Sequence, residues 1–243
     1  PRPAIAGLAM DRPRLMGILN VTPDSFSDGG LYDGAPAAIS HARDMIKNGA
    51  DIIDIGGEST RPGADMVSAE QEIERTVPVI RSVRRDGAHP VSIDTRKGKV
   101  ASAALAAGAS LVNDVSALSF DAKLSGIIAN AGVPVCLMHA RGDPMTMQDR
   151  PQYDDVLLDV YDHLQDRIET ALASGIARAK IVIDPGIGFG KTVAHNLALL
   201  RGLSLFHSLG CPIMLGASRK RFIGTLGDAP EARARMPGSI AVA

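Results

Sequence analysis

The chain is short of cysteine, of net charge and of long apolar runs, and each shortage narrows its class. Two cysteines, Cys136 and Cys211, occur among 243 residues without partners at metal-ligand spacing, so neither a disulfide framework nor a zinc cluster is expected. Each sits next to a proline-marked strand start and reads as a small buried hydrophobe in a reducing cytoplasm. The formal net charge is -1, with no basic stripe and no block of like charge, which argues against a nucleic-acid or membrane surface. Any anionic ligand must then be met by a few placed cations. No apolar run approaches the roughly 20 residues of a membrane helix, and the first residues lack the apolar region of a signal peptide. A soluble intracellular protein is expected. With 45% hydrophobic residues the chain can bury one large core, so residues 1–243 read as a single domain.

The most informative stretch is 181–192, IVIDPGIGFGKT. Ile181, Val182 and Ile183 are β-branched in succession, as in a strand buried on both faces of a parallel sheet, so the Asp184 carboxylate emerges where that strand ends. Pro185 sets a bend, and Gly186, Gly188 and Gly190 let the backbone approach a ligand. Thr192 is placed to cap the next helix. A P-loop would need glycine where Pro185 stands, and the G-x-G-x-G spacing departs from the dinucleotide fingerprint. A tight strand-to-helix turn without a ligand would explain the loop taken alone.

Strands and helices alternate along the rest of the chain. Apolar strand segments are expected at 14–19, 52–55, 91–93, 111–112, 133–138, 181–183 and 213–215. Helical periodicity covers 36–48, and Ser68 to Gln71 has the form of a capping box for a helix running toward Arg84, bent near Pro78. Thr95 is placed to cap the alanine-rich helix 97–107, and further helices are expected over 121–130 and 154–174. This alternation predicts a parallel sheet with right-handed crossovers.

Polar residues decide between the two common parallel architectures. Asn20, Asp94, Asn113, His139, Asp184 and Ser218 each follow the last apolar residue of a strand, and Glu58 lies just past another. An open doubly wound sheet needs polar strand ends only at a switch point. A closed barrel brings every strand end to one mouth, so the expected fold is a TIM (β/α)8 barrel. Seven strands can be counted, and the sequence ends within the expected seventh helix. The eighth strand is absent from it, and a C-terminally incomplete domain is expected. Asp94, Asn113 and Asp184 at one mouth suit a flat ligand rich in N–H donors, with Lys220 donating to a carbonyl oxygen from the opposite side. Acid/base hydrolysis or a magnesium site remains an alternative use of paired carboxylates.

Six strings together carry a resemblance: NVTPDSFSDGG (20–30), GGESTRPG (56–63), IDTR (93–96), NDVS (113–116), DPGIGFGK (184–191) and SRK (218–220). In this order they resemble the dihydropteroate synthases, over about residue 15 to the end. The resemblance implies a TIM-type barrel and a folate-pathway condensation. In that reaction 6-hydroxymethyl-7,8-dihydropterin diphosphate and p-aminobenzoate give 7,8-dihydropteroate and diphosphate. It implies a pterin pocket of Asp94, Asn113, Met138, Asp184, Phe189 and Lys220, with Asp94, Asp184 and Lys220 serving catalysis. Asn20 matches the residue that helps place Mg2+ and diphosphate. Phe26, Thr60, Arg61, Pro62 and Ser218 match the p-aminobenzoate and diphosphate side. Ser218 and the helix N-terminus after it would offer N–H groups to a carboxylate.

The same resemblance implies dissociative loss of diphosphate, a pterin-methyl cation captured by the arylamine, and loops 22–26 and 60–63 closing over the site to exclude water. It also implies sulfonamides as competitors of p-aminobenzoate, and a homodimer. Two rival readings stand beside it. A pterin-binding methyltransferase domain shares the barrel, but the Ser59 to Pro62 and Ser218 to Lys220 strings argue against it. A noncatalytic pterin-binding paralogue differs only in turnover.

Overall fold

The computed structural model describes residues 3–22, 34–58, 66–142 and 151–243. Six strands form one parallel sheet in sequence order: β1 (Met16–Asn20), β2 (Ile52–Gly56), β3 (Val91–Asp94), β4 (Leu111–Asp114), β5 (Val135–Met138) and β6 (Ile181–Asp184). Between and after them run α1 (Gly34–Lys47), α2 (Ala69–Asp86), α3 (Gly98–Ala106), α4 (Leu124–Ala131), α5 (Val156–Ala173), α6 (Val193–Arg201), α7 (Arg221–Leu226) and α8 (Met236–Val242). This is the α/β order of a TIM-type barrel, in which consecutive parallel strands neighbour one another through a helical crossover.

The expected seventh strand is reduced to a bridge. Ile213 pairs in parallel with Ile183, held by Ile183 N–H to Pro212 O at 3.0 Å and Met214 N–H to Ile183 O at 2.8 Å. Pro212 lacks an N–H and Gly216 follows within four residues, so only a short extended piece can pair. Among the described residues β1 has no strand on its second edge and no eighth strand occurs. The sheet is therefore unclosed over those residues.

Two apolar layers follow from the two-residue alternation of the strands. Leu19, Ile53, Ile55, Val91, Ile93, Val112, Val135, Leu137, Ile181 and Ile183 pack outward against the helices, in one cluster with Ile80, Leu124, Leu164, Ile168 and Phe206. The other face carries a smaller cluster of Ile52, Leu111, Cys136 and Val182, with Met16 and Met214 packed on it. An N-terminal turn closes that end of the lumen: Ile5 bridges Leu8 in antiparallel fashion, and both join the inner cluster. Cys136 and Cys211 are free and buried, as expected of small hydrophobes. Ile18, in register with Asp54 on the inner face, is 54% exposed because β1 lacks that second neighbour.

Local signals place the helices. Ser68 accepts the Gln71 N–H and Gln71 returns to the Ser68 N–H, completing the capping box of α2, which continues through Pro78. Thr192 caps α6 as expected, with His195 as the reciprocal partner. Thr95 does not cap α3. Its hydroxyl takes the Lys97 N–H at 3.2 Å, and the first helical N–H, Gly98, goes to Asp121 Oδ2 at 2.7 Å. Replacing Ser68 by Ala leaves its capped N–H without a partner, which costs about 1 kcal/mol. The melting temperature should fall by roughly 2–4 °C, and calorimetry that finds no shift would show the capping box to be dispensable.

Candidate active site

Strand alternation and register build the site. Parallel partners share a face, so the register Asn20, Gly56, Asp94, Asn113 runs across the C-terminal ends of β1 to β4. One inward position deeper, Ile18, Asp54 and Ser92 form the preceding row. On the other side of the lumen Met138 pairs with Asp184. The lumen thus passes from an apolar floor to a carboxylate-rich mouth within two layers of side chains.

Asn113 and Asp54 form a buried pair. The Asn113 Nδ2 donates to Asp54 Oδ2 at 2.9 Å, while Asn113 Oδ1 and Asp54 Oδ1 are buried with no hydrogen-bond partner among the described residues. A buried polar atom without a partner costs about 1–3 kcal/mol, so these two oxygens are ready acceptors for ligand N–H groups. Asp54 was hidden in the sequence inside the apolar run IIDI. Only reading that run at period two, with Ile52, Asp54 and Gly56 on one face, would have found it.

Asp94 keeps some surface toward the mouth but is otherwise enclosed. Its carboxyl is pushed well above the usual carboxylate range, first by burial and then by Asp54, Glu72, Asp114 and Glu58 around it. Burial also raises Asp54, against the pull of the Ser92 hydroxyl beside it and then of the Asn113 amide. A second cluster lies behind this row. Lys97 Nζ stands 2.8 Å from Glu72 and 3.1 Å from Glu58, with Arg96 3.4 Å from Glu58 on the other side. Glu58 is therefore spent on the connection between strand ends and α2.

Asp184 is 4% exposed, and its Oδ1 accepts the Gly186 N–H at 2.7 Å. Burial raises its pKa, while that N–H, Lys220 and Lys191 pull it back. Gly186, Gly188 and Gly190 have φ of 68°, 84° and 59°. At Gly186 a Cβ would lie 1.8 Å from His139 O, and at Gly190 2.5 Å from Arg141 O. The loop is pressed against the chain that follows β5, which only glycine permits. Lys220 Nζ lies 4.0 Å from the centroid of the Phe189 ring, a cation–π distance. Burial lowers the Lys220 pKa and Asp184 partly restores it. Met138 is 4% exposed beside Asp184. The structure thus brings Asp94 and Asn113 to one side of the lumen, and Met138, Asp184, Phe189 and Lys220 to the other.

Asn20 stands at the mouth on β1, half-buried. Phe26, Thr60, Arg61 and Pro62, and the loops 22–26 and 60–63 apart from Thr22, lie outside the described residues. Ser218 is exposed, and the helix after it begins three residues on, at Arg221. The Arg219 N–H goes to Ser239 Oγ at 2.8 Å and the Lys220 N–H to Ala217 O at 3.4 Å, and α7 has only six residues. Sequence reasoning also left two residues unassigned. Lys191 is 4% exposed and bonds His139 Nδ1 at 2.9 Å, and His139 is held about 2 by burial and by Lys191. An open groove of about 560 Å³ lined by Leu8, Arg12, Asp51, His89 and Pro90 lies at the opposite end of the sheet. There Arg12 already pairs with Asp51 and His89 with Ala50 O, so the chemistry belongs to the mouth.

Two outcomes test this geometry. Gly186→Ala forces both positive φ and a backbone clash, so it should abolish ligand binding at the mouth or prevent folding; a variant with wild-type binding and melting would refute the close approach. His139 has a folded pKa of about 2 against an ordinary 6.5. Below pH 6.5 the unfolded chain takes up a proton that the folded chain refuses, so His139 contributes stability above 6.5 that is lost as pH falls. The slope is at most about 1.4 kcal/mol per pH unit. His139→Gln should therefore flatten the loss of stability between pH 6.5 and 4 in denaturant titrations, and an unchanged slope would refute a neutral buried imidazole.

Comparison with known proteins gives the family of the chain. The pattern of the pterin-binding enzyme family matches residues 16–243. The dihydropteroate synthase of Synechocystis is 45% identical over 228 residues, covering 94% of this chain and 79% of that protein. The structure of Xanthomonas albilineans dihydropteroate synthase with 4-aminobenzoic acid superposes with a TM-score of 0.93 at 47% identity, covering 100% of this chain and 87% of that one. The Yersinia pestis dihydropteroate synthase in a sulfonamide drug complex gives 0.90 at 46%, covering 97% and 85%. At this similarity, over nearly the whole sequence, the chain belongs to the dihydropteroate synthase family of pterin-binding enzymes.

Proposed function

We propose that the protein is a dihydropteroate synthase of folate biosynthesis, a transferase that joins 6-hydroxymethyl-7,8-dihydropterin diphosphate to p-aminobenzoate. The observation that carries this reading is the set of buried acceptors at the mouth. Asn113 Oδ1 and Asp54 Oδ1 lack partners, and Asp184 has only one oxygen engaged by its own loop. An amino-amide heterocycle edge supplies the N–H donors these oxygens lack. Lys220 donates to the ring carbonyl, and Phe189 and Met138 flank the ring. Asp94, Asp184 and Lys220 are the catalytic groups.

In the reaction the C–O bond to diphosphate breaks with its electron pair, and the arylamine nitrogen forms the new C–N bond. The arylamine proton then passes to the leaving diphosphate or to water. Positive charge developing on the pterin-methyl group stands among the carboxyl groups of Asp54, Asp94 and Asp184, whose anionic forms burial disfavours and a nearby cation restores. That arrangement stabilises the transition state more than the neutral ground state. A cation bound near diphosphate fits an amide oxygen such as that of Asn20, with phosphate and water oxygens completing its shell. Among the described residues no group of three His, Cys, Asp or Glu side chains forms a metal cage, in keeping with Mg2+ held largely by substrate. When bound, that ion neutralises charge on the leaving group.

Residues 1–243 act in this reading as one barrel unit. The p-aminobenzoate and diphosphate side belongs to Phe26, Thr60, Arg61, Pro62 and Ser218, where sulfonamides compete. Family resemblance supports these roles, and also a homodimer and a cytoplasmic location. No helix among the described residues is long and apolar enough to cross a membrane.

Asp184→Asn replaces one acceptor by a donor facing ligand N–H groups and should weaken pterin binding by about 1–3 kcal/mol, or fivefold to 150-fold. Calorimetric titration checks this, and unchanged affinity would remove Asp184 from the pocket. Diphosphate release should require p-aminobenzoate. Pterin binding without release would favour the noncatalytic paralogue.

A further inference from the structure

Lys191 lies outside the pterin-facing set, yet it bonds the loop that carries Phe189 and that gives an N–H to Asp184. Its ammonium donates to Gly186 O at 2.9 Å and Phe189 O at 3.0 Å and bonds His139 Nδ1 at 2.9 Å, with His139 O further off at 3.4 Å. Three near acceptors match the three protons of an ammonium group. Each of the two loop carbonyls belongs to a residue that sets a pocket wall. Gly186 gives its N–H to Asp184 Oδ1, and Phe189 carries the ring beneath Lys220. The loop is also fixed at its flanks, by Gly188 N–H to Asn196 Oδ1 at 2.7 Å and by Tyr153 Oη to Gly190 O at 2.8 Å. Only Lys191 ties the turn at Gly186 and the turn at Phe189 to the same point on the end of β5, among the described side chains.

We propose that Lys191 is a positioning residue that holds the 185–190 loop in the shape that aims the Asp184 carboxylate and the Phe189 ring at the pterin. The inference rests on the pterin-binding reading above and adds a residue that does not itself touch the ligand. Two features support an anchor. Gly186 and Gly190 leave no space between the loop and residues 139–141, so the loop cannot drift without first breaking the Lys191 bonds. The surroundings also keep the amine from being a freely charged surface group. Burial lowers its pKa to about 7, with Asp184 pulling it up and Lys220 pushing it down.

The groups facing it are His139 and Arg141 from the end of β5, His163 from α5 and Asp184 from β6. Tyr153, His195 and Lys220 complete the surround. On losing a proton the amine keeps two donors for the two carbonyls and accepts from the Nδ1–H tautomer of His139. The anchor therefore persists on either side of neutrality, and pterin affinity should not break sharply near pH 7.

The test compares wild type with Lys191→Met, which keeps length and apolar stem but has no donor. Pterin affinity is read by calorimetry, and KM values for the pterin diphosphate and for p-aminobenzoate are read from turnover, all well below the melting temperature. The pterin Kd and KM should rise about tenfold or more, with the p-aminobenzoate KM within twofold of wild type. A lower melting temperature with an unchanged pterin KM would overturn the proposal and leave Lys191 as a stabilising residue only. Equal losses for both substrates would also overturn it. If Lys191→Met yields no folded protein, Lys191→Gln keeps part of the donor set, and its pterin KM should rise at least about threefold; no rise would overturn the proposal. Failure of the wild-type protein to bind pterin would instead refute the functional reading on which the inference stands.

Discussion

Carboxylates withdrawn from water inside one lumen set the terms for the rest of the structure. Asp54, Asp94 and Asp184 sit on inner faces of strands, where the same alternation that buries isoleucine outward leaves no other direction for them. Each is raised by burial, and the chain answers with a few exact donors: the Asn113 amide, the Gly186 N–H and, at the rim, Lys220 and Lys191. The compensation is incomplete, since Asp54 Oδ1, Ser92 Oγ and Asn113 Oδ1 remain buried without hydrogen-bond partners among the described residues. Native interiors rarely tolerate such atoms. Their persistence marks a place where a ligand completes the hydrogen bonding.

The helical layer can afford this polar interior because its own packing is independent of it. Leu164, Ile168, Ile80 and Phe206 belong to the outer cluster, which touches the strands from the side away from the lumen. The strand is thus a divider between an apolar side that gives stability and a polar side that gives chemistry. Glu72, Lys97 and Glu58 pair their charges at the back of the site, although Glu72 Oε1 and Arg96 Nε keep no hydrogen-bond partner among the described residues.

How much of this could be read beforehand depended on whether the signal was local. Asn20, Asp94, Asn113 and Asp184 were legible because each interrupts an apolar run at its end, and Thr192 and Ser68 because caps are set by four consecutive residues. The alternation of strands and helices was equally plain. Asp54 was not, since a single carboxylate inside a strand looks like noise until the neighbouring strand fixes which face is inward. The 213–215 segment has strand-like residues, but pairing is a property of two segments, and only Ile213 finds its partner. The N–H of Arg219, next to Ser218, goes to Ser239, a partner too distant in sequence to be read locally. Lys191 was visible in the motif, but its burial depends on His139, 52 positions away.

The contact between the glycine-rich loop and residues 139–141 bears on how this surface can change over time. At Gly186 and Gly190 any side chain meets a backbone oxygen, so there is no neighbouring atom that can step aside. The backbone atoms of both glycines are bonded within the chain, Gly186 O to Lys191 and Gly190 O to Tyr153, so a replacement there disturbs the loop itself. A small molecule that binds against the shape this loop holds would face few viable substitutions at Gly186 and Gly190, whereas one leaning on Ser218 meets an exposed side chain.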